Sequence, residues 1–356
     1  MSGSKTIKGK FQRVYIDAEF KSLKHFFRKA DYSSIIILTD SNTERLCLPD
    51  FISVCKLKNY LSVSIPPGEQ SKCLATAEKL WEQMMPIADR NSVLVNLGGG
   101  MITDIGGFVA SVFKRGIDFI HVPTTLLSMV DASIGGKTAV DFANHKNQLG
   151  TFAQPKAVFI SDGWLNTLPA EQLLSAKAEM AKQAMLAGTK EWQKFILNFD
   201  NEHNISDQIC QAVEFKIKIA DKDLVEKSVR KQLNFGHTIG HALESFCLQK
   251  SKPVPHGFAI AAGMICELNL SENYYGLKAN PFGEQLEFLN EKFPKINFNE
   301  KEIDEITSFI ANDKKNNHGK IKPVLIKRIG KPEWDAEVKI EMIADSLKKY
   351  IDAYAK

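Results

Sequence analysis

Polar side chains recur at helical spacing in the segment from residue 226 to residue 256. The first five step by four, four, three and four residues, and a third histidine follows; the set is Glu226, Arg230, Asn234, His237, His241 and His256. On an α-helix this spacing places the first five side chains on one face. Burying such a face is costly, because each polar group needs a partner. We therefore expect it to line a wet, charged cleft.

A histidine pair four residues apart has more ordinary interpretations as well. It can be an exposed helical face, or two core side chains whose hydrogen bonds are satisfied. Here Gly236 and Gly240 flank the pair, and His256 stands between Pro255 and Gly257. Glycine destabilises a helix interior by about 1 kcal/mol relative to alanine. Two of them therefore indicate the close approach of another element or of a ligand.

The composition is ordinary for a globular chain, since 44% of the 356 residues are hydrophobic and 25% are charged. The length suggests two domains. A net charge of +4 is too small to indicate nucleic-acid binding. The six cysteines form no CxxC pair, and no apolar run is long enough for a secretory signal or a membrane span. We expect reduced thiols and a cytoplasmic protein.

Strand and helix patterns alternate in the first half of the chain and become almost wholly helical in the second. Predicted strands lie at residues 11–16, 34–38, 61–65, 92–97 and 324–329. Predicted helices lie at residues 74–87, 103–114, 170–187, 191–198, 205–222 and 304–312. This order predicts an α/β N-terminal domain at residues 1–168, nucleotide-binding, with a doubly wound and mainly parallel sheet. Residues 169–356 should form a mostly α-helical C-terminal domain.

A glycine run, Gly98-Gly99-Gly100, directly follows the strand predicted at 92–97. A phosphate group can approach bare backbone there and meet the amides of a helix N-terminus. The spacing GGGxxxD, which ends at Asp104, is not a dinucleotide fingerprint, and glycine turns after strands are common. Asp40 ends an earlier strand, where it can accept from a ribose hydroxyl or simply cap the next helix.

Charged side chains elsewhere fit an anionic ligand but are individually weak signals. Lys137 follows Gly135-Gly136 in a loop-rich stretch, although the spacing is not that of a P-loop. Glu179 and Lys182 lie one helical turn apart, and such a pair is usually a solvated face. The pair Lys314-Lys315 is by itself an ordinary basic surface cluster.

Taken together, these motifs resemble the 3-dehydroquinate synthase family of sugar-phosphate cyclases. The resemblance rests on the order and spacing of blocks that span most of the chain. These blocks are PPGEQSK, DRNSVLVNLGGGMITDIGGF, FKRGIDFIHVPTTLLSMVDASIGGKT, Lys146-Asn147, QPKAVFI, TLP, AEMAK, LNFGHTIGHALE, His256-Gly257 and DKKN.

The resemblance implies two cofactors. NAD would bind the N-terminal domain, at positions that match Asp40, Glu69, Lys72, Gly98, Gly99, Gly100, Asp104, Thr124, Thr125, Lys146 and Thr167. One divalent metal, zinc or cobalt, would bind the C-terminal domain through Glu179, His237 and His256. By the same resemblance His241 is not a metal ligand but lies near the phosphate of the substrate.

The resemblance also implies contacts with a phosphorylated sugar acid. The matching catalytic or substrate-binding positions are Asp131, Lys137, Asn147, Lys182, Lys216, Glu226, Arg230, Asn234, His241, and Lys314 or Lys315. Arg115 would reach the phosphate in a neighbouring subunit, which implies a homodimer. Neither nucleic acid nor a membrane is an expected partner.

The implied reaction converts 3-deoxy-D-arabino-heptulosonate 7-phosphate to 3-dehydroquinate and phosphate, in the shikimate pathway. Its steps are NAD-dependent oxidation, β-elimination of phosphate, reduction, and intramolecular aldol closure. Phe258, Gln183 and His145 depart from the usual pattern and bear on substrate identity. The alternatives are a sister cyclase that acts on sedoheptulose 7-phosphate or glucose 6-phosphate, a metal-dependent alcohol dehydrogenase of the glycerol dehydrogenase type, and an inactive NAD-binding protein.

Overall fold

A computed structural model describes residues 4–143, 145–278, 280–311 and 321–353. Strands and helices alternate in its first part. In chain order they are β1 (Lys5–Lys8), β2 (Arg13–Ile16), α1 (Lys21–Lys29), β3 (Ile35–Asp40), α2 (Ser41–Leu46), α3 (Leu48–Cys55), β4 (Leu61–Ile65), α4 (Leu74–Met84), β5 (Val93–Gly98), α5 (Gly100–Val112), β6 (Asp118–Pro123), β7 (Lys137–Phe142), β8 (His145–Phe152) and β9 (Val158–Ile160).

The remaining elements are mainly helical. They are α6 (Ala170–Ala187), α7 (Thr189–Asn198), α8 (Ile205–Ala220), α9 (His237–Gln249), α10 (His256–Tyr275), α11 (Gly283–Lys292), α12 (Ile303–Ala311), β10 (Leu325–Arg328), β11 (Lys331–Glu333) and α13 (Ile340–Ala353). Among the described residues, no helix combines the length and apolarity that a membrane crossing requires. All six cysteines are free thiols, as predicted.

Seven strands form one sheet in the order β1-β2-β9-β6-β5-β3-β4. The neighbours pair in parallel except for β1 with β2. Along β3, Ile36 and Leu38 join one hydrophobic cluster and Ile37 joins another. Successive strand residues point to opposite faces, so helices cover both faces of this sheet. The predicted fold class, with its doubly wound and mainly parallel sheet, is confirmed.

Two compact units divide the chain. The sheet unit consists of residues 1–173 and 201–225, and the helical unit consists of residues 174–200 and 226–356. The sheet unit therefore also contains α8, which the sequence pattern grouped with the helical half. The predicted domain boundary at residue 168 stays a prediction, because compact units need not be independently folding domains.

The segment from residue 226 to residue 241 is not one helix, so the prediction of a single continuous polar face is wrong. Residues Val229–Asn234 form a 3-10 helix, and α9 begins at His237. Gly236 between them has φ +78, a left-handed conformation that ends a right-handed helix. Asn234 instead folds back, and its Nδ2 donates to Glu226 Oε1 at 2.7 Å.

The glycines beside the histidines mark a close approach, as predicted, and the approaching element is α10. A Cβ atom on Gly240 would lie 2.9 Å from the backbone oxygen of Ala259, and one on Gly263 would lie 2.0 Å from that of Gly236. Side chains at these positions would therefore force the two helices apart. Bare backbone thus lets α9 and α10 pack closely and brings their histidines together.

Candidate metal centre and nucleotide site

Three predicted metal ligands converge in the helical unit. Glu179 comes from α6, His237 begins α9, and His256 begins α10. Glu179 Oε1 lies 3.4 Å from His237 Nε2 and 3.6 Å from His256 Nε2. Two ligand atoms on one tetrahedral zinc lie about 3.3 Å apart. The three side chains therefore fit a single small divalent cation, and three protein ligands leave a position for substrate or water.

The other ring nitrogen of each histidine is engaged away from this point. His237 Nδ1 lies 3.1 Å from the backbone oxygen of Phe235, and His256 Nδ1 lies 3.3 Å from Glu244 Oε2. These oxygens can only accept, so each Nδ1 is the donor of its contact, and each Nε2 faces Glu179 Oε1. Such partners fix the tautomer of metal-binding histidines.

The electrostatics of the three groups also favour a cation. Burial opposes ionisation of Glu179, but the charge of Lys182 and contact with His256 outweigh it and hold the pKa of this carboxyl below its usual range. Burial, with the charge of Lys182, holds the pKa of His237 well below its usual range. Burial acts likewise on His256, yet its bonds to Glu179 and Glu244 raise its pKa to about 9. A proton here occupies the place that a metal ion would take.

Lys182 contacts the second oxygen of Glu179, and both side chains are almost wholly buried. The alternative that this i, i+3 pair is a solvated face is therefore wrong. Burying a lysine requires a compensating anion, and Glu179 supplies it. The pair instead places an ammonium group beside the metal position.

His241 stands next to the same cluster. Its ring centroid lies 5.1 Å from that of His237 and 5.8 Å from that of His256. One ligand atom from each of these three histidines lies within 4.8 Å of the others, so geometry alone also allows a trihistidine set. The contacts of Glu179 with His237 and His256 favour the predicted set, and the assignment of His241 to phosphate stays a prediction.

The helical unit also contains other residues that were predicted to contact the substrate. Arg230 is buried on the 3-10 helix, and Asn234 bonds Glu226, which has φ 58. Gln183 and Phe258, two of the departures from the family pattern, are buried. Lys314 and Lys315 lie outside the described residues.

Three predicted residues of the sheet unit surround the ammonium group of a fourth, Lys72. This group lies 2.6 Å from Glu69 Oε1, 3.3 Å from Asp104 Oδ2 and 2.8 Å from Asn147 Oδ1. Burial raises the pKa of Asp104 to about 6, although Lys72 acts to lower it. Glu69, Lys72 and Asp104 were expected to bind NAD, whereas Asn147 was expected to bind substrate. The structure brings both groups to one lysine.

The predicted phosphate-binding glycines lie between β5 and α5. Gly98 ends the strand, Gly99 caps the helix, and Gly100 begins it. A Cβ on Gly99 would lie 3.0 Å from Thr125 Cγ2. The buried hydroxyl of Thr124 has no hydrogen-bond partner among the described residues. A strand, a glycine turn and a 13-residue helix follow one another here, and helix N-termini of this kind commonly bind anions; the phosphate contact of these glycines stays a prediction.

The other predicted NAD positions make local contacts. Asp40 caps α2 and accepts from the amides of Asn42 and Thr43, so the capping interpretation is confirmed and a ribose contact stays a prediction. Thr167 Oγ1 donates to the backbone oxygen of Trp164. Lys146 is exposed on β8.

Two of the predicted substrate-binding residues in the sheet unit contact each other. Lys216 on α8 lies 2.6 Å from Asp131 Oδ1. Lys137 is exposed at the start of β7, so this part of the stretch taken as loop-rich is a strand. Arg115 is exposed, with φ 69.

Three residues that were not predicted from the sequence hold these groups in place. Glu244 continues the 237, 241 helical spacing, so the pattern could have identified it. Gln12 accepts from Gly135 N and donates to Ser133 O, and it thereby holds the segment between Asp131 and Lys137. Glu267 accepts from the amide of Gly236. The one sequence feature that could have identified Glu267 is the presence of an acid within the apolar run of α10.

Comparisons with known proteins agree with this architecture. The family model described as 3-dehydroquinate synthase N-terminal matches residues 62–175, and the one described as 3-dehydroquinate synthase C-terminal matches residues 176–316. A protein named 3-dehydroquinate synthase from Parabacteroides distasonis is 36% identical over 349 residues, which cover 96% of this chain and 99% of the relative. One of the same name from Pyrococcus abyssi is 36% identical over 336 residues, covering 93% and 98%.

Solved structures share the fold at lower identity. A 2-deoxy-scyllo-inosose synthase complexed with carbaglucose-6-phosphate, NAD+ and Co2+ has a TM-score of 0.85 at 24% identity and covers 98% of this chain and 99% of its own. An iron-containing alcohol dehydrogenase from Corynebacterium glutamicum has a TM-score of 0.65 at 13% identity, covering 98% and 97%. The two family models together match more than half of the chain, and the chain therefore belongs to the 3-dehydroquinate synthase family.

Proposed function

We propose that this protein is a carbon–oxygen lyase that converts 3-deoxy-D-arabino-heptulosonate 7-phosphate to 3-dehydroquinate and phosphate. The observation that best supports this proposal is that Glu179 Oε1 lies 3.4 Å from His237 Nε2 and 3.6 Å from His256 Nε2. The similarity over 96% of the chain to a protein named 3-dehydroquinate synthase supports the proposed substrate. The reaction is a step of the shikimate pathway, which leads to aromatic amino acids.

The proposed cofactors are one divalent metal, zinc or cobalt, and NAD. Glu179, His237 and His256 would hold the metal, and the Gly99 turn would hold the NAD pyrophosphate. When bound, NAD would supply reversible hydride transfer with a ring alcohol, and the metal would supply Lewis-acid polarisation of neighbouring oxygens. The neighbouring structure with NAD+ and Co2+ supports this pair of cofactors.

The proposed substrate carries a phosphate and a carboxylate, and the chain supplies cations for both. In the helical unit, Lys182 pairs with Glu179, and the buried Arg230 offers a planar fork suited to an oxyanion. In the sheet unit, Lys216 is already oriented by Asp131. The remaining proposed substrate contacts are Lys137, Asn147, Glu226, Asn234, His241, and Lys314 or Lys315, with Arg115 from the partner in a homodimer.

Orientation of these groups is the main catalytic task of the chain, because a single molecule must be held through elimination and ring closure. Departure of phosphate leaves charge on its oxygens, and fixed cations stabilise that charge. The hydride that leaves the substrate returns to it. The overall reaction therefore has no net oxidation or reduction, and its products are phosphate and 3-dehydroquinate.

The decisive experiment incubates the purified chain with NAD, Zn2+ and 3-deoxy-D-arabino-heptulosonate 7-phosphate. We expect stoichiometric phosphate and 3-dehydroquinate, with no steady rise of NADH absorbance. Accumulating NADH without phosphate would instead support an alcohol dehydrogenase, whose fold the chain shares. No turnover despite bound NAD would support an inactive NAD-binding protein.

A sister cyclase is the second candidate, and one specific observation favours it. The 2-deoxy-scyllo-inosose synthase fold matches over 98% of the chain, and Gln183 and Phe258 are both buried where the family pattern differs. Parallel assays with sedoheptulose 7-phosphate and glucose 6-phosphate discriminate the two. Phosphate release from one of these sugars alone would contradict the proposed substrate.

A further inference from the structure

Glu267 is a fully buried acid in the middle of the apolar helix α10. Its Oε2 accepts from the amide of Gly236 at 2.6 Å, and its Oε1 accepts from that of Ile239 at 3.3 Å. No side chain of its own caps α9, so Glu267 binds the free amides at the start of that helix from a different helix.

The peptide that Glu267 contacts is also the peptide that orients a proposed metal ligand. The N–H of the Phe235–Gly236 peptide donates to Glu267, and its carbonyl oxygen lies 3.1 Å from His237 Nδ1. One peptide unit therefore connects the carboxylate on one side with the imidazole on the other. Hydrogen bonds in such a chain polarise one another, so the carboxylate makes the carbonyl a stronger acceptor.

The backbone is shaped for this connection. Gly236 has φ +78, and a Cβ there would lie 2.6 Å from Met264 Cγ. A residue with a side chain would thus be strained at this position and would displace α10, which carries Glu267. The orientation of the peptide follows from these constraints and not from α9 alone.

We propose that Glu267 is a positioning residue that acts on the metal ligand His237 through the Phe235–Gly236 peptide. The carboxylate fixes the peptide, the carbonyl of the peptide holds the Nδ1–H, and the Nε2 lone pair is directed toward Glu179. This inference rests on the proposed function only in taking His237 as a metal ligand. Metal-ligating histidines commonly donate directly to a carboxylate or a carbonyl. In this chain the carboxylate of Glu267 acts on His237 indirectly, through one intervening peptide group.

The test compares metal affinity in the unsubstituted chain, in Glu267→Gln and in Glu267→Met. Burial raises the pKa of Glu267 to about 8 despite the amide donors, so the measurement is made above that pH. Glutamine keeps the shape but loses the charge, and methionine also loses the acceptor. Loss of an outer partner weakens metal binding by about 10- to 100-fold. We expect Zn2+ affinity to fall at least tenfold in the methionine chain and by a smaller factor in the glutamine chain.

The control is Glu272→Gln, the same substitution on the same helix, at a half-buried position near Lys349. It should leave Zn2+ affinity unchanged. The visible spectrum of the Co2+-loaded protein provides a second measurement, because reorientation of one imidazole changes its intensity. A purely structural role for Glu267 would lower the unfolding midpoint but leave the affinity and spectrum of the folded fraction unchanged, and that outcome would overturn the proposal.

The proposal can also be tested without a variant, in case the substituted chains do not fold. Nitrogen NMR of the metal-free, unsubstituted protein reports the tautomer of His237, which we expect to carry its proton on Nδ1. A proton on Nε2 would overturn the proposal. An unsubstituted chain that binds no Zn2+ would contradict the proposed function as well, whereas equal Zn2+ affinity in all three chains would overturn this inference alone.

Discussion

The ammonium group of Lys216 lies 2.6 Å from Asp131 Oδ1 and 2.5 Å from the backbone oxygen of the same residue. Lys216 is buried, whereas the Asp131 side chain is 29% exposed. The lysine is therefore held by two oxygens of one residue, from the π-helical turn Ser128–Ala132. A cation so oriented is ready for an anionic substrate without first losing rotamer freedom.

This pair predicts non-additive effects on turnover. Lys216→Gln and Asp131→Asn should each lower kcat/KM at least tenfold, because each removes a charge that positions the other. A charge-assisted hydrogen bond contributes about 1.5–3 kcal/mol, and about 1.4 kcal/mol is a factor of ten. The double variant should be no slower than the poorer single variant. Multiplying single effects would show that the two residues act independently.

The ligand assignment predicts different outcomes for two neighbouring histidines. His237→Ala should lose bound metal and activity together, since it removes one of three ligands. His241→Ala should keep metal but turn over slowly. Metal content by mass spectrometry after gel filtration decides between them. Loss of metal from the His241 variant alone would mean that the two roles are exchanged.

The glycine turn after β5 predicts a specific loss of NAD binding. The side chain of Gly99→Val would meet Thr125 and fill the volume proposed for the pyrophosphate, because a Cβ there already lies 3.0 Å from Thr125 Cγ2. Calorimetry should detect no NAD binding, while circular dichroism stays native. The control Gly163→Val adds the same side chain where a Cβ, among the described residues, meets only Ser161 Oγ, at 3.5 Å. Unchanged NAD affinity in the Gly99 variant would move the cofactor elsewhere.

Local patterns predicted the elements of this fold that have local causes. The strand at 61–65 was predicted with its observed bounds, and α6 at 170–187 likewise, because strand alternation and helical periodicity are both patterns of residues close together in the sequence. The prediction of one polar helical face through Gly236 was wrong for a reason that the neighbouring sequence does not contain. Gly236 has φ +78, and this conformation follows from the packing of Gly236 against α10.

Residues that act across the chain were the hardest to predict. Gln12 bonds Gly135 across 123 positions and Glu267 bonds Gly236 across 31. No spacing rule connects such residues, since tertiary packing alone brings them together. The ligands Glu179, His237 and His256 were predicted only through family resemblance, because their order in the sequence has no helical spacing.

A buried histidine in the sheet predicts a pH-dependent stability that is separate from catalysis. Burial lowers the pKa of His121 from 6.5 to about 3, and Asn96 Nδ2 lies 3.2 Å from its Nδ1. The unfolded chain therefore binds a proton that the folded chain does not. The contribution of the neutral ring is complete above pH 6.5 and is lost as the pH falls toward 3.

The expected size follows from about 1.4 kcal/mol per pKa unit. Between about pH 7.5 and pH 5, the unfolding free energy should fall by about 2 kcal/mol more in the unsubstituted chain than in His121→Gln. Urea unfolding at both pH values measures this difference. The control His25→Gln changes an exposed histidine and should leave the pH dependence as it is. An equal fall in His121→Gln would contradict the prediction.

Lys114 and Arg115 are consecutive non-glycine residues in left-handed conformations, with φ 50 and 69. Each costs about 1–2 kcal/mol, and such strain is retained mainly at functional sites. Lys114→Gly and Arg115→Gly should both relieve it and leave the unfolding midpoint unchanged or raised. Only Arg115→Gly should lose phosphate release, because only Arg115 is proposed to reach a substrate phosphate. Equal activity in the two variants would mean that the strained conformation of Arg115 has no catalytic role.

The same arginine predicts complementation between subunits. Arg115→Ala and Lys137→Ala chains should each be inactive alone, since every site lacks one of the two cations. If Arg115 acts on the partner's substrate, a heterodimer of the two variants contains one site with both residues intact and one site lacking both. Mixing under conditions where native mass spectrometry shows subunit exchange should restore about a quarter of the activity per chain, because half of the dimers are mixed and half of their sites are intact. If exchange occurs and the mixture stays inactive, Arg115 acts within its own subunit.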